Sequence, residues 1–297
     1  MRTHLTRRKF AVLAAAGLLA RPARAQTEQL LTRAIPSSGE RLPAVGLGTA
    51  SIFDTADTTT RANAVEIVQT LIANGGRLID TASTYGDAEV VVGEAIATTK
   101  LREKSFIATK LEQPNADELK RSLARLRVEK VDLLQLHNIR RANQSLARFR
   151  EWKASGLCRY LGITSTYHDD FPAVEGALRR EKPDFVQVDY SIDVRTAEAR
   201  ILPLAADAGA GVLTALPFGR GRLFQVVRGR TVPDWAQEFA KTWAQFFLKY
   251  LLGDSRITVV IPGTRDPKHL IDNLGAMRGR LPDQTERAKM VSFIEAL

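Results

Sequence analysis

The sequence predicts an α/β fold, a single (β/α)8 TIM-type barrel with a short N-terminal hairpin and a C-terminal helix. Three observations carry that prediction. Short apolar runs alternate with amphipathic stretches along nearly the whole chain. The runs are almost continuously apolar, as parallel strands covered on both faces must be. The polar residues that close four successive runs, Asp80, Lys110, His137 and Ser165, stand 30, 27 and 28 residues apart. That period is about one β/α unit, and eight such units close a barrel.

The first element is not part of the barrel. Thr6-Arg7-Arg8-Lys9-Phe10 precedes a ten-residue apolar run, 11–20, and then Ala23-Arg24-Ala25. A charged start, a short apolar stretch and a small-residue cleavage site read as an export signal over residues 1–25. The run is too short to span a bilayer, so stable membrane insertion is not expected. The paired arginines are similar to a twin-arginine signal, although a general secretory signal shares the positive start. The expectation is transient contact with the twin-arginine export machinery, cleavage after Ala25, a barrel domain over residues 26–297 and a periplasmic location.

The signal also accounts for most of the charge. The formal net charge is +10, and residues 1–25 hold six of the basic residues and no acid. The remainder carries 37 basic against 33 acidic residues. A balance this close to neutral argues against a nucleic-acid partner. The single cysteine, Cys158, cannot form an internal disulfide. The four histidines show no metal-ligand spacing, so no metal site is assigned. No Gly-x-Gly-x-x-Gly joins a strand to a helix, which removes the usual dinucleotide-binding domain.

The elements follow in order. Residues 33–41 read as a hairpin across the barrel floor. Strands are expected at 45–49, 77–81, 105–110, 131–137, 160–165, 184–190, 211–216 and 257–261. Helices are expected at 62–73, 88–98, 116–126, 144–154, 171–181, 197–208, 235–252 and 268–276, with a terminal helix over 285–297. Gly75, Gly156, Gly209 and Gly253 mark turns from helix to strand.

At the C-terminal mouths of strands two, three and four stand Asp80 with Tyr85, then Lys110, then His137. In such barrels that end carries the site. Each residue alone is weak evidence: Asp80 could simply cap the next helix. Together they form an acid–base set. A phenol with its ordinary pKa of ~10 is a poor donor at neutral pH. A nearby ammonium stabilises the phenolate left behind, a carboxylate keeps that ammonium charged, and an imidazole can orient a carbonyl oxygen. The set suits carbonyl reduction, whose other half is a hydride from a nicotinamide.

The chain resembles the aldo-keto reductases through eight motifs in order. They are Gly46-Leu47-Gly48-Thr49, Ile79-Asp80-Thr81-Ala82 with Tyr85-Gly86, Ala108-Thr109-Lys110 and Asp132-Leu133-Leu134-Gln135-Leu136-His137. The rest are Gly162-Ile163-Thr164-Ser165, Gln187-Val188-Asp189-Tyr190, Pro217-Phe218-Gly219-Arg220-Gly221 and Ile261-Pro262-Gly263-Thr264. The resemblance implies a reductase acting on a small carbonyl substrate, an aldehyde or ketone, with Tyr85 as proton donor, Lys110 and Asp80 tuning it, and His137 orienting the carbonyl. It implies NADP(H), with NAD(H) second. Ser165 and Gln187 would hold the nicotinamide carboxamide and Tyr190 would stack on its ring. Gly48 and Thr49 would lie under the cofactor, with Thr166 and Pro217 beside it. Phe218, Gly219 and Arg220 would follow the pyrophosphate, and Thr264, Arg265, Asp272 and Asn273 would hold the adenosine end. The chain departs from many relatives at Thr166, where they have Asn, and at Gly263 and His269, where they have Lys and Arg. Arg265, and more weakly Lys268, would then meet the 2′-phosphate. Phe53 is a candidate wall of an open substrate pocket. The alternative is an exported, non-catalytic or redox-sensing dinucleotide-binding barrel, because fold alone does not prove chemistry.

Overall fold

The computed structural model describes residues 29–141 and 143–297. The expected export signal over residues 1–25 lies outside the described residues. A two-stranded antiparallel hairpin, β1 (Thr32–Ala34) and β2 (Arg41–Pro43), comes first. Eight parallel strands follow: β3 (Leu47–Gly48), β4 (Leu78–Asp80), β5 (Phe106–Leu111), β6 (Val131–Leu136), β7 (Cys158–Ser165), β8 (Phe185–Asp189), β9 (Gly211–Ala215) and β10 (Ile257–Val260). They pair in chain order. The parallel bridge between Val45 and Val260 joins the two ends of the sheet and closes it. Gly46 N–H donates to Val260 O at 2.9 Å and Val260 N–H to Ala44 O at 2.9 Å across that seam.

The crossover helices are α1 (Thr58–Ala73), α2 (Ala88–Thr99), α3 (Ala116–Leu126), α4 (Ala147–Ala154), α5 (Phe171–Glu181) and α6 (Thr196–Ala208). After β9 come α7 (Arg222–Val226) and α8 (Trp243–Leu252), and after β10 come α9 (Pro267–Gly275) and α10 (Gln284–Glu295). Two differences from the sequence expectation have local causes. The helix expected over 235–252 begins only at Trp243, because the Thr242 side chain accepts the Gln245 N–H and caps it there. Ahead of it lies a single 3-10 turn, Asp234–Ala236. The short helix α7 has too few residues for a periodic signal and was not expected.

Strand alternation divides the core in two. Leu78, Phe106, Leu133, Tyr160, Phe185 and Leu213 fill the barrel interior. Ile79, Ile107, Leu134, Ile163, Val186 and Val212 face the helices. Ile35 and Leu42 of the hairpin join the interior set and plug the floor. Cys158 is free and buried, and burial pushes its thiol up to about 12, so it acts as a small apolar group.

Candidate active site

Counting by twos up each strand gives the inward residues at the C-terminal mouth. On β4 this is Asp80; on β5, Lys110; on β6, Gln135 and then His137; on β8, Gln187. The Lys110 ammonium donates to Asp80 Oδ2 at 2.7 Å and to Thr81 O at 2.8 Å. The two side chains are only 1% and 4% exposed, so neither charge could stand there alone. Burial, the largest single effect, would lower the Lys110 ammonium, but its interactions with Asp80 and Tyr85 together outweigh it and hold Lys110 above its ordinary value. Gln187 Nε2 donates to Asp80 Oδ2 at 3.1 Å, and Gln135 Nε2 donates to Gln187 Oε1 at 2.8 Å. Two amides thus extend the ion pair across the barrel.

Tyr85 lies on the turn between β4 and α2. The Lys110 Nζ stands 4.9 Å from the centre of its ring. Gly86 makes that turn possible: its φ is +54°, and a Cβ there would lie 2.5 Å from Asp54 O. Behind the turn, the Ser83 hydroxyl donates to Glu118 at 2.6 Å, and buried Glu89 accepts from the Thr109 hydroxyl at 2.7 Å. His137 meets Tyr85 edge-on, ring centres 5.7 Å apart. Burial, then Lys110 and Arg140, lower its imidazole to about 3, so the ring is neutral near pH 7.

These groups open into a cavity of about 770 Å³ lined by Thr49, Tyr85, His137, Thr166, Gln187 and Arg220, among others. A second cavity of about 380 Å³ is lined by Trp243, Thr264, His269, Asp272 and Asn273. Phe218, Phe224 and Gly263 border both, so the two form one groove. Among the described residues, seven other than glycine have positive φ. Lys100, Arg127 and Lys182 end helices. The other four, Ser51, Asn138, Leu216 and Arg220, all line the larger cavity. Backbone strain gathered at one cleft is an independent pointer to a functional site.

The Aldo/keto reductase family model matches residues 44–291, well over half of the chain. The chain belongs to the aldo/keto reductase family. An aldo-keto reductase of Mycolicibacterium vanbaalenii is 30% identical over 246 residues, covering 78% of this chain and 82% of that protein. One from Mycobacterium avium is 29% identical over 245 residues, covering 79% and 80%. The crystal structure of an aldo/keto reductase from Klebsiella pneumoniae, in complex with NADP and acetate, superposes with a TM-score of 0.73 at 25% identity. It covers 86% of this chain and 93% of that one. Membership of the family makes the chain an oxidoreductase.

Within this aldo/keto reductase, the structure sorts the residues expected from sequence. Asp80, Tyr85, Lys110 and His137 come together as expected. Gly48, Thr49, Thr166, Gln187, Pro217, Phe218 and Arg220 line the larger cavity, and Thr264, Asp272 and Asn273 the smaller. Five expectations need correction. Tyr190 points outward from the barrel and is fully buried; its hydroxyl donates to Glu198 at 2.8 Å. Ser165 also points outward and donates to Asp170 at 2.7 Å, which leaves Thr166 at the mouth. Gly219 lies off the lining, backed by the Arg222 guanidinium. Phe53 is buried in the core, and its neighbour Ile52 is the wall. Arg265 lines neither cavity: it donates to Ile52 O at 2.7 Å and Ser51 O at 3.1 Å and pairs with Asp54. Gly263 has its own reason, since a Cβ there would meet Gly48 O at 3.0 Å and Ile52 at 3.1 Å. Sequence reasoning passed over Gln135 and Glu112, both at inward positions two residues from a chosen one.

Proposed function

We propose that the chain is an NAD(P)H-dependent carbonyl reductase, using NADP(H) in preference to NAD(H), with Tyr85 as proton donor. The observation that carries this reading is the buried Lys110–Asp80 pair beneath a phenol, with a neutral imidazole on its other side. The joined cavities suit an elongated dinucleotide. At their meeting point Phe218 and Phe224 stand beside Gly263, whose Cβ would meet Gly48 O at 3.0 Å, and Trp243 lines the far end. The Klebsiella pneumoniae relative is described with NADP, which supports the same coenzyme here.

Thr166, Gln187, Pro217 and Phe218 would hold the nicotinamide half, Arg220 the pyrophosphate, and Thr264, Asp272 and Asn273 the adenosine half. Held by these residues, the coenzyme would supply the hydride for the carbonyl carbon. Tyr85 gives its proton to the oxygen as negative charge develops there. The Lys110 ammonium stabilises the phenolate that remains, and Asp80 keeps the ammonium charged and aimed. His137 positions the substrate from the facing side. Tyr85→Phe should lower turnover by ~10²–10⁴-fold, the usual range for a general acid, and leave coenzyme affinity intact. Reduction of aldehydes by that variant at the wild-type rate would refute the assignment.

The export reading rests on sequence alone. Thr6-Arg7-Arg8-Lys9-Phe10, the apolar run and Ala23-Arg24-Ala25 support a twin-arginine signal cleaved after Ala25 and a periplasmic mature chain. Arg7→Lys together with Arg8→Lys should retain the precursor in the cell. Unimpaired export of that variant would remove the claim.

A further inference from the structure

We propose that Arg140, standing over Tyr167 at the rim of the larger cavity, selects carbonyl substrates that carry a carboxylate remote from the reacting carbon. This names a substrate class for the reductase reading above and rests on it. Tyr167 is 55% exposed and lines the cavity with Thr166 and Asn138. The Arg140 guanidinium stands 5.9 Å from the centre of its ring. Both residues are presented by fixed backbone. The Ser165 hydroxyl accepts the Tyr167 N–H at 3.1 Å while donating to Asp170. Buried Ile139 donates its N–H to Thr164 O at 2.9 Å, and Gln144 Oε1 accepts the backbone N–H groups of Arg140 and Arg141 at 2.8 and 3.0 Å.

Charge at this end of the barrel is otherwise matched. Arg222 and Arg265 pair with Asp193 and Asp54, and Lys110 with Asp80. Arg140 pairs with no carboxylate among the described residues; the Tyr167 ring is its side-chain contact. Arg220 is likewise without a carboxylate, but it lines the cavity where the coenzyme pyrophosphate is placed above. Arg140 is then the cation that faces the substrate side. The ring beneath it supplies no carboxylate lone pairs, so the planar guanidinium keeps donors for two parallel bonds to a carboxylate. Nearer the reacting centre the sign reverses. Glu112 Oε1 lies 3.1 Å from His137 Nδ1 and accepts the Asn138 side-chain N–H at 3.0 Å. A carboxylate attached directly to the carbonyl carbon would stand close to that anion. One carried further out clears Glu112 and reaches Arg140. The site therefore favours an aldehyde with a distal carboxylate over a 2-oxo acid.

The test compares 4-carboxybenzaldehyde with 4-carbamoylbenzaldehyde, which share a shape and differ in charge, as substrates with NADPH. The ratio of their kcat/KM values is measured in wild type, Arg140→Gln and Arg140→Lys. The intrinsic reactivity of each aldehyde is the same throughout, so a change in the ratio reads the ion pair. An exposed pair with good geometry supports a factor of about 5, which the Gln variant should lose and the Lys variant partly restore. Raising salt to roughly 0.5 M should shrink the wild-type ratio and leave that of Arg140→Gln unmoved. A ratio that survives in Arg140→Gln, or ignores salt in wild type, overturns the proposal. Glyoxylate tests the remote placement: a loss on Arg140→Gln as large as that for 4-carboxybenzaldehyde overturns it. A binding arm works without turnover. Calorimetric titration of the NADP-loaded protein with 4-carboxybenzyl alcohol should give a Kd about 5-fold weaker in Arg140→Gln. Arg140-dependent binding with no aldehyde reduced would sink the reductase reading and keep the anion site. Reduction of both aldehydes with a ratio indifferent to Arg140 would sink this proposal alone.

Discussion

Replacing Lys110 with Met isolates the physical core of the site. Met approximates the length of the side chain, so little cavity forms, and the charge is what is lost. Asp80 is then a carboxylate only 4% exposed without a cation. Removing one partner of a buried ion pair costs ~3–5 kcal/mol. Asp80 would keep its hydrogen bonds from Gln187 Nε2 at 3.1 Å and Gln135 Nε2 at 3.4 Å, which places the cost near the lower end. For a chain of this size 1 kcal/mol moves Tm by roughly 2 °C, so a fall of about 6 °C is expected. The pH dependence has a definite sign. Burial pushes Asp80 up, and without Lys110 nothing cationic opposes it. The folded pKa then lies above the unfolded one, so the folded variant prefers the protonated acid. Its deficit is small below the unfolded pKa of ~3.9 and grows as pH rises through the folded value. Melting by circular dichroism should therefore show a larger gap from wild type at pH 8 than at pH 5. Adding Asp80→Asn removes the stranded charge and should recover most of the loss. A single variant that melts with wild type, or a double variant no better than the single, would refute the reasoning.

Other perturbations give separable outcomes. Arg265→Ala should release the loop at Ser51 and Ile52 and weaken NADPH and NADH binding alike, since Arg265 is engaged on backbone carbonyls; a loss confined to NADPH would show instead that it meets the 2′-phosphate. Ser51→Gly should stabilise by about 0.5–1 kcal/mol in urea unfolding, because the left-handed penalty at φ +57° slightly exceeds the added flexibility of glycine; a lower midpoint would contradict this. His137, lowered to about 3, contributes stability above pH 6.5 that is lost as pH falls towards 3. His137→Gln should flatten the stability profile in that window, and an unchanged slope would place the titration elsewhere. Wild-type protein recovered from the periplasm should release a nicotinamide dinucleotide on denaturation, by mass action of tight binding before export. Protein that arrives empty yet active with added NADPH would show that transport does not require the coenzyme.

The barrel was legible because parallel strands covered on both faces leave long apolar runs, and because one polar residue closes each of several runs at a regular interval. Helices 116–126 and 171–181 were placed to the residue, since Asn115 caps one and Pro172 opens the other. The acid–base set was legible because its members sit at strand ends. The cofactor residues were less so, and the errors have one cause. Motif position says that Ser165 and Tyr190 stand near the mouth, but only alternation says which way they point. Counting by twos from Gln187 up β8 would have turned Tyr190 outward, and counting from Tyr160 up β7 would have turned Ser165 outward and selected Thr166. Glu112 and Gln135 fall out of the same count. The short helix α7 and the buried place of Phe53 follow from tertiary packing, which no window of sequence contains.

The same count explains why the site has its character. The lower barrel interior is apolar, built on Leu78, Phe106, Leu133, Phe185 and Leu213. Two residues further up β4, β6 and β8, and four up β5, the inward residues become Asp80, Gln135, Gln187 and Lys110. The charges therefore sit on a low-dielectric floor, where attraction between Lys110 and Asp80 and the field at Tyr85 are far stronger than in water. Such a floor also makes an unpaired polar group costly. Both amides donate to Asp80 and Gln135 also donates to Gln187, while Gln135 Oε1 stays buried without a partner among the described residues. The rim above is strained at Ser51, Asn138, Leu216 and Arg220, each held by its neighbours in the closed barrel. A rigid apolar barrel can hold both costs, buried charge below and backbone strain above, at the one end where the chain is free to vary its loops.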